Sequence, residues 1–216
     1  MEKDYGSWIK WRSGGKVQFK AEINMFDNFE FVLLSKSPRR TRLIKEMGVK
    51  FSVVKPNVEE FYPEDLPVGD IPMYLSKRKV LAYQELSNEK VVRVAADTIV
   101  VVDGRVLGKP RSRSEACGML RRLSDKTSHV ITGVTIAHRN NFYSFSEITD
   151  VTFLTLSDCE IKYYVDNFRP YDKAGAYGIQ EWIGMIGIKA INGCFYNVMG
   201  LPVSRLYHEL KKMLMC

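Results

Sequence analysis

Residues 31–48 read FVLLSKSPRRTRLIKEMG, and this stretch predicts a strand, a tight turn and a helix in succession. Its first four residues form a short apolar run that is typical of a buried strand. Ser37 is suited to cap a helix, Pro38 to fill its first position and Gly48 to end it. The rest of the chain is interpreted around this strand-to-helix turn.

The turn concentrates positive charge. Lys36, Arg39 and Arg40 stand at the predicted helix N-terminus, where free backbone N–H groups attract anions. Ser35 and Ser37 add hydroxyl groups that can bind the same ligand. These residues predict a phosphate site, although a capped surface helix with a solvated basic face fits them equally well.

Length and composition indicate one globular domain. The chain has 216 residues, of which 45% are hydrophobic, and a formal net charge of +7. This charge suits nucleic acid, a membrane surface or a small phosphorylated molecule as a partner. Because the basic residues cluster near turns and not along one helix face, a local anion site is favoured over a nucleic-acid surface.

The compartment and the domain boundary follow from other features. Four cysteines lie far apart without a CxxC pair, which argues against zinc and predicts reduced thiols in the cytoplasm. No window reaches the roughly 18 apolar residues of a membrane span, so no membrane association is expected. Residues 1–28 lack periodicity and are interpreted as an N-terminal extension that precedes a domain at 29–216.

Two regions beyond the turn carry informative charges. The predicted strand after Gly48 ends at Pro56 and opens onto a loop with Glu59 and Glu60, which could be functional or merely solvated acids. Residues 70–87 predict a helix with one apolar stripe, and Lys79 interrupts that stripe. Its ammonium must therefore meet an anion or reach water along its own stem.

The most apolar run, VVRVAADTIVVV at residues 91–102, contains Asp97. A carboxylate in such a strand is costly unless it is hydrogen-bonded, paired with a cation or bound to metal. Asp103-Gly104 predicts a hairpin turn that brings Asp97 and Lys109 towards each other. A catalytic group and a buried structural ion pair both fit this arrangement.

The remaining segments predict scaffold elements and one binding loop. Residues 171–180, YDKAGAYGIQ, are too rich in small residues for a regular element, and Lys173 and Gln180 are their side chains best suited to a ligand. The predicted scaffold consists of a helix opened by Ser112-x-x-Glu115, strands at 128–137 and 142–154, a helix at 157–168, a hairpin of 182–191 with 194–198, and a final helix from Pro202.

Read together, the motifs SKSPRR, NVEE, AADT, LGKP, KAGAYGIQ and FYNVMGLP resemble the Maf family of nucleoside triphosphate pyrophosphatases over about residues 29–210. The SPRR and AGAYGIQ forms are similar to the branch associated with dTTP and UTP, and less similar to the 7-methyl-GTP branch. The resemblance implies an α/β fold, with an elongated mixed β-sheet flanked by helices and two lobes around a central cleft. It also implies a divalent metal and a homodimer.

Residues that match the family motifs acquire expected roles. Mg²⁺ or Mn²⁺ would be held by Glu60 and Asp97, and Asp97 would also activate the attacking water together with the catalytic lysines Lys79 and Lys109. The substrate-binding residues are expected to be Ser35, Arg39, Arg40 and Gln180, and the loop at 171–180 adds Lys173 to them on its own composition. Departures from the family pattern are Lys36 and the Glu181-Trp182 pair, which is predicted to narrow the base pocket.

The expected reaction is hydrolysis of dTTP, UTP and modified pyrimidine nucleotides to the monophosphate and pyrophosphate. The alternatives are a nucleotide-binding regulator without turnover, a pyrophosphatase for modified purine nucleotides, and a nucleic-acid binder. Glu60 and Asp97 disfavour simple polyanion binding, because such a protein has no need of carboxylates beside its cations.

Overall fold

A computed structural model describes residues 25–83 and 89–215 of the chain. The strands are β1 (Glu30–Leu34), β2 (Phe51–Val54), β3 (Val91–Val102), β4 (Arg105–Leu107), β5 (Thr127–His138), β6 (Asn141–Phe153) and β7 (Ile188–Asn192). The α-helices are α1 (Pro38–Glu46), α2 (Ile71–Leu81), α3 (Arg113–Leu123), α4 (Asp158–Phe168), α5 (Trp182–Gly187), α6 (Phe195–Met199) and α7 (Val203–Met215). Short 3₁₀ turns lie at Val68–Asp70 and Ala174–Ala176.

The strands form one mixed sheet in the order β2-β1-β3-β5-β6-β7, and β4 pairs with β3. β1 runs parallel to both β2 and β3, whereas the other pairs are antiparallel. This arrangement confirms the predicted α/β fold with an elongated mixed sheet, whose long strands β3, β5 and β6 make up its centre.

The sheet forks along one edge of β3. β1 pairs with β3 as far as Ala95, and β4 pairs with it again from Val100. On the opposite edge β5 pairs with β3 continuously. Within the described residues, the edge between the two branches is open, and Asp97 lies in this gap. The fork therefore forms a central cleft between two lobes.

Helices cover both faces of the sheet. Side chains from α1, α3, α4 and α7 form the main hydrophobic core on one face, and α2 packs against β3 and β5 on the other. At Gly133 of β5 the approach is so close that an added Cβ would lie 2.1 Å from the backbone nitrogen of Met73. Ser76 of α2 also bonds Thr135 of β5, with 2.8 Å between the hydroxyl oxygens. These contacts fix the position of α2 over Asp97.

Two predicted elements need correction. The helix expected at 70–87 ends at Leu81, and residues 84–88 lie outside the described part of the chain. The hairpin expected at 182–191 and 194–198 is wrong, because α5 and α6 replace most of it and β7 alone is a strand. Tertiary packing explains the difference. A Cβ at Gly184 would lie 1.9 Å from the carbonyl oxygen of Ile179, and the buried Asn197 amide of α6 donates to Val130 O at 3.0 Å.

The N-terminal segment contributes to the core. Phe26 is 1% exposed and packs edge-on against Phe31 and Tyr207. The packed core thus includes a residue ahead of the predicted boundary at residues 28 and 29, while residues 1–24 of the predicted extension lie outside the described residues. Across 25–83 and 89–215, no helix combines the length and apolar character needed to cross a bilayer.

Candidate active site

A cleft of about 810 Å³ opens at the fork in the sheet. It is bounded by the turn between β1 and α1, the loop after β2, one side of α2, the open edge of β3 and the loops at 108–111 and 172–180. Every residue to which sequence analysis assigns a catalytic, metal-binding or substrate-binding role lines this cleft: Ser35, Arg39, Arg40, Glu60, Lys79, Asp97, Lys109, Lys173 and Gln180.

The turn before α1 is organised by Ser35. This serine is 4% exposed, and its Oγ accepts a hydrogen bond from the backbone nitrogen of Ser37 at 3.1 Å. Ser37 occupies the N-cap position as predicted, but its own side chain makes no capping hydrogen bond, and Pro38 begins the helix. Residues 35–40, which include the first residues of α1 and the cations beside them, line the cleft.

Arg40 is held by neutral acceptors. Its Nε donates to the carbonyl oxygen of Gly200 at 2.7 Å, and its Nη2 donates to Thr98 Oγ1 at 2.8 Å. Desolvation lowers the pKa of this guanidinium, while the nearby Asp97 opposes the effect. Neither acceptor carries a charge, so these two bonds orient the guanidinium without neutralising it. Sequence reasoning missed Thr98, although a hydroxyl beside Asp97 in an apolar strand was a usable signal.

Lys79 and Asp97 form a buried ion pair on the floor of the cleft. They are 7% and 8% exposed, and Lys79 Nζ donates to Asp97 Oδ1. The inward lysine thus meets an anion and does not extend to water. The predicted approach of Lys109 to Asp97 is not observed as a pair, because Lys109 Nζ lies 3.3 Å from Glu60 Oε2. The turn at Asp103-Gly104 places Lys109 in the cleft but does not set its partner.

Glu60 lies between the two lysines. Its Oε1 is 3.5 Å from Lys79 Nζ, and its Oε2 is 3.3 Å from Lys109 Nζ. Partial burial alone would raise the pKa of Glu60, but the charges of Lys79 and Lys109 lower it overall. The loop is anchored from α2, where Arg78 Nη1 donates to the carbonyl oxygens of Glu59 and Phe61. Sequence reasoning missed Arg78, since only the tertiary structure brings it to this loop.

The carboxylates of Glu60 and Asp97 both approach the ammonium of Lys79. Their oxygen atoms are the ligands that Mg²⁺ and Mn²⁺ prefer. Within 25–83 and 89–215, no group of three or more His, Cys, Asp or Glu side chains is arranged to hold a metal. Two carboxylates nevertheless fit Mg²⁺, which is commonly bound by one or two carboxylates together with substrate phosphates.

Glu181 anchors the loop at 172–180 through contacts with Lys173 and Tyr164. Lys173 is 7% exposed, and its Nζ lies 3.0 Å from Glu181 Oε1. The buried Tyr164 hydroxyl donates to Glu181 Oε2 and accepts from the backbone nitrogen of Gly178 at 3.0 Å. Burial raises the pKa of Tyr164, with a further rise from its hydrogen bond to Glu181. The exposed Gln180 projects from this anchored loop at the cleft wall.

The predicted narrowing of the base pocket by Glu181 and Trp182 is wrong. Glu181 is directed to Lys173 and Tyr164, and neither it nor Trp182 lines the cleft. Trp182 instead packs edge-on against Tyr163, with 4.9 Å between the ring centroids. Both side chains therefore pack on the side of the loop that faces away from the cleft.

Sequence reasoning also missed Asp172. Its carboxylate binds Arg39 Nη1 through Oδ2 at 2.5 Å and Lys173 Nζ through Oδ1 at 2.7 Å. Adjacent acidic and basic residues in a loop give no hint of this contact, because Arg39 is 133 residues away along the chain. The tertiary structure alone brings the α1 turn to this loop.

Profile and sequence comparisons match most of this chain to known proteins. The family profile described as Maf-like protein matches residues 30–213. A dTTP/UTP pyrophosphatase of Bacteroides thetaiotaomicron is 50% identical over 192 residues, which are 88% of this chain and 100% of that protein. A dTTP/UTP pyrophosphatase of Cytophaga hutchinsonii is 51% identical over 191 residues, covering 88% and 87% of the two chains.

Among solved structures, the Staphylococcus aureus Ham1 protein has a TM-score of 0.45 and 15% identity, with 85% of this chain and 99% of that chain covered. The profile match spans residues 30–213, a range that contains every residue of the cleft discussed above, and the two bacterial relatives each match over 88% of this chain. The chain belongs to the Maf family.

Proposed function

We propose that this protein hydrolyses nucleoside triphosphates, with dTTP and UTP as preferred substrates, to the monophosphate and pyrophosphate. The observation that carries the proposal is the buried Asp97–Lys79 pair at the floor of a cleft whose wall presents several cations. The printed names of the bacterial relatives, dTTP/UTP pyrophosphatase, support the same reaction and substrates.

The cations bind and orient the triphosphate. Arg40 faces the cleft with its charge uncompensated by its two hydrogen-bond acceptors, so it can stabilise negative charge on a phosphate. Ser35, Arg39 and the N-terminus of α1 extend this anion site, and Lys109 borders it from the loop after β4. Fixed donors of this kind hold the phosphate chain in the geometry required for attack.

Asp97 acts as the general base. Lys79 binds its Oδ1, which orients the carboxylate and leaves Oδ2 to accept a proton from the attacking water. The water oxygen forms a new bond to phosphorus, the α–β phosphoanhydride bond breaks, and pyrophosphate leaves. The buried position of the pair excludes most solvent from the base, which strengthens its interaction with the bound water.

A divalent cation, Mg²⁺ or Mn²⁺, would be held by oxygen atoms of Glu60 and Asp97. When bound, it would offset negative charge on the phosphates. The lowered pKa of Glu60 keeps its carboxylate ready as a ligand at neutral pH. The ammonium groups of Lys79 and Lys109 also balance the charge of Glu60 when no cation is present.

Base recognition is assigned to Gln180. A primary amide donates and accepts at once, which matches the O4 and N3–H edge of uracil or thymine. Glu181 and Tyr164 hold the loop that presents it, and Lys173 lies on the same loop. A site that hydrogen-bonds its ligand discriminates strongly against analogues with a different edge.

The test measures pyrophosphate release from UTP, dTTP, CTP, ITP and 7-methyl-GTP, with and without Mg²⁺. We expect wild-type protein to prefer UTP and dTTP, and Gln180→Ala to lose roughly 10-fold or more of the UTP-over-CTP preference. Asn167→Ala is the matched control, since that exposed amide on α4 bonds Tyr163 O and lies outside the cleft. A wild-type purine preference, or unchanged discrimination in Gln180→Ala, would contradict the assignment. Nucleotide binding without pyrophosphate release would indicate a regulator.

We further propose that the catalytic domain comprises residues 29–216 together with the core residue Phe26, and that the protein works as a homodimer in the cytoplasm. Among the described residues, Cys117, Cys159 and Cys194 are free thiols, which supports a reducing compartment. Light scattering after size-exclusion chromatography tests the dimer, and a monomeric mass at micromolar concentration would contradict it.

A further inference from the structure

The two adjacent arginines of α1, Arg39 and Arg40, have different kinds of hydrogen-bond acceptor. Arg40 bonds only neutral acceptors, Gly200 O and Thr98 Oγ1. Arg39 instead donates from Nη1 to Asp172 Oδ2 at 2.5 Å, and from Nη2 to the main-chain oxygen of Asp172 at 3.4 Å. Both arginines line the cleft. One cation of the anion site therefore has only neutral hydrogen-bond partners, whereas the other is already paired with a carboxylate.

The Asp172 carboxylate also binds a second cation of the cleft, Lys173. Asp172 Oδ1 accepts a hydrogen bond from Lys173 Nζ at 2.7 Å, so each oxygen of Asp172 binds a different cation. A phosphoryl group bound between Arg39 and Lys173 would make the same pair of contacts with two of its oxygens. The Asp172 carboxylate thus makes the contacts that a bound phosphoryl group would make with these two cations.

The burial of the three side chains indicates which contact can change. The Asp172 side chain is 50% exposed, while those of Arg39 and Lys173 are 20% and 9% exposed. The carboxylate is therefore already partly solvated and can move fully into water, whereas the two more buried cations stay in the cleft. Burial alone would raise the pKa of Asp172, but the hydrogen bonds from Lys173 and Arg39 lower it overall, so the group is an anion at neutral pH.

Lys173 keeps a partner when Asp172 departs. Its Nζ also lies 3.0 Å from Glu181 Oε1, and Tyr164 holds the other oxygen of Glu181. The side chain of Glu181 is only 21% exposed, compared with 50% for Asp172. Glu181 is thus the fixed partner of Lys173, and Asp172 is the exchangeable one.

We propose that Asp172 is an internal competing anion: it occupies Arg39 and Lys173 when the cleft is empty, and an entering phosphoryl group displaces it from both. The inference rests on the proposed function of the cleft. Asp172 then weakens the binding of the triphosphate and, by the same competition, promotes release of the pyrophosphate product. Its role is to set ligand affinity, and it takes no part in the chemical step.

The test is calorimetric titration of inorganic pyrophosphate into the full-length protein at fixed ionic strength, which requires no turnover. Asp172→Asn keeps the shape of the side chain and removes its charge. We expect this change to tighten pyrophosphate binding roughly 1.4- to 5-fold, the factor that a partly exposed ion pair contributes. The KM for UTP should fall by a similar factor. Asp172→Glu retains the charge and should bind pyrophosphate like the wild type.

Asp158→Asn provides the matched control, because Asp158 also pairs with an arginine, Arg121 Nε at 2.7 Å, but lies outside the cleft. Its pyrophosphate affinity should equal that of the wild type. Weaker or unchanged pyrophosphate binding in Asp172→Asn would contradict this inference and leave the proposed function intact. Asp172 would then be a structural anchor for Arg39. Absence of pyrophosphate binding in the wild type would overturn the proposed phosphate site and the inference together. If Asp172→Asn lowers the Tm, Asp172→Ser must give the same tightening for the inference to stand.

Discussion

Replacing Asp97 with asparagine should remove the general base at the floor of the cleft. The amide has nearly the same shape and can still accept from Lys79, but it cannot take a proton from water. The loss of general-base catalysis should lower kcat by about 10²- to 10⁴-fold. This factor corresponds to roughly 3–5 kcal/mol of transition-state stabilisation.

The same substitution should also destabilise the fold. Breaking a fully buried ion pair by removing one partner costs about 3–5 kcal/mol. In Asp97→Asn, Lys79 would still have an anionic partner, because its Nζ lies 3.5 Å from the half-exposed carboxylate of Glu60. We therefore expect a smaller cost of about 2–3 kcal/mol, which lowers the Tm by roughly 4–12 °C for a chain of this length. A domain with typical stability of about 5–15 kcal/mol remains folded at 25 °C.

The assay compares pyrophosphate release at saturating UTP with thermal unfolding for Asp97→Asn and the wild type. Val165→Ala is the stability control, because Val165 is fully buried in the core under α4 and outside the cleft. It should lose stability by a similar amount, about 1–3 kcal/mol, and keep its turnover. Near-normal kcat in Asp97→Asn would remove this residue from the mechanism, and an unchanged Tm would refute the energetic account of the buried pair.

Two further predictions concern packing and pH. Gly133→Ala should destabilise the protein by about 1–3 kcal/mol, since the added Cβ would lie 2.1 Å from the backbone of Met73 and the helix must shift. Thermal unfolding beside Gly118→Ala checks this, because no atom outside the local helix backbone lies within 4 Å of the new Cβ there, and equal Tm values would contradict it. The lowered pKa of Glu60 means that its stabilising contribution is complete above its ordinary value of 4.5 and is lost as pH falls below it. The Tm difference between wild type and Glu60→Gln should therefore stay constant from pH 7 to about 5 and shrink at lower pH, and a difference that grew on acidification would contradict the assignment.

Local sequence pattern determined most of the scaffold. The strand-turn-helix at 31–48, the hairpin at Asp103-Gly104 and the capped helix at Ser157 could be predicted because short-range propensity and periodicity agree with the tertiary structure there. The same reasoning showed that Lys79 and Asp97 need partners, since a charge in an apolar stripe or strand is costly by itself. These two residues of the cleft floor could therefore be named before their positions were known.

Only the tertiary structure decided which charges pair. Asp97 binds Lys79 and not Lys109, because the close approach at Gly133 fixes α2 over the open edge of β3. Likewise, Asp172 reaches Arg39 only because the chain returns to α1 after 133 residues. The helices α5 and α6 replaced a predicted hairpin for the same reason: β-propensity is a local preference, whereas packing depends on contacts between residues far apart in the sequence.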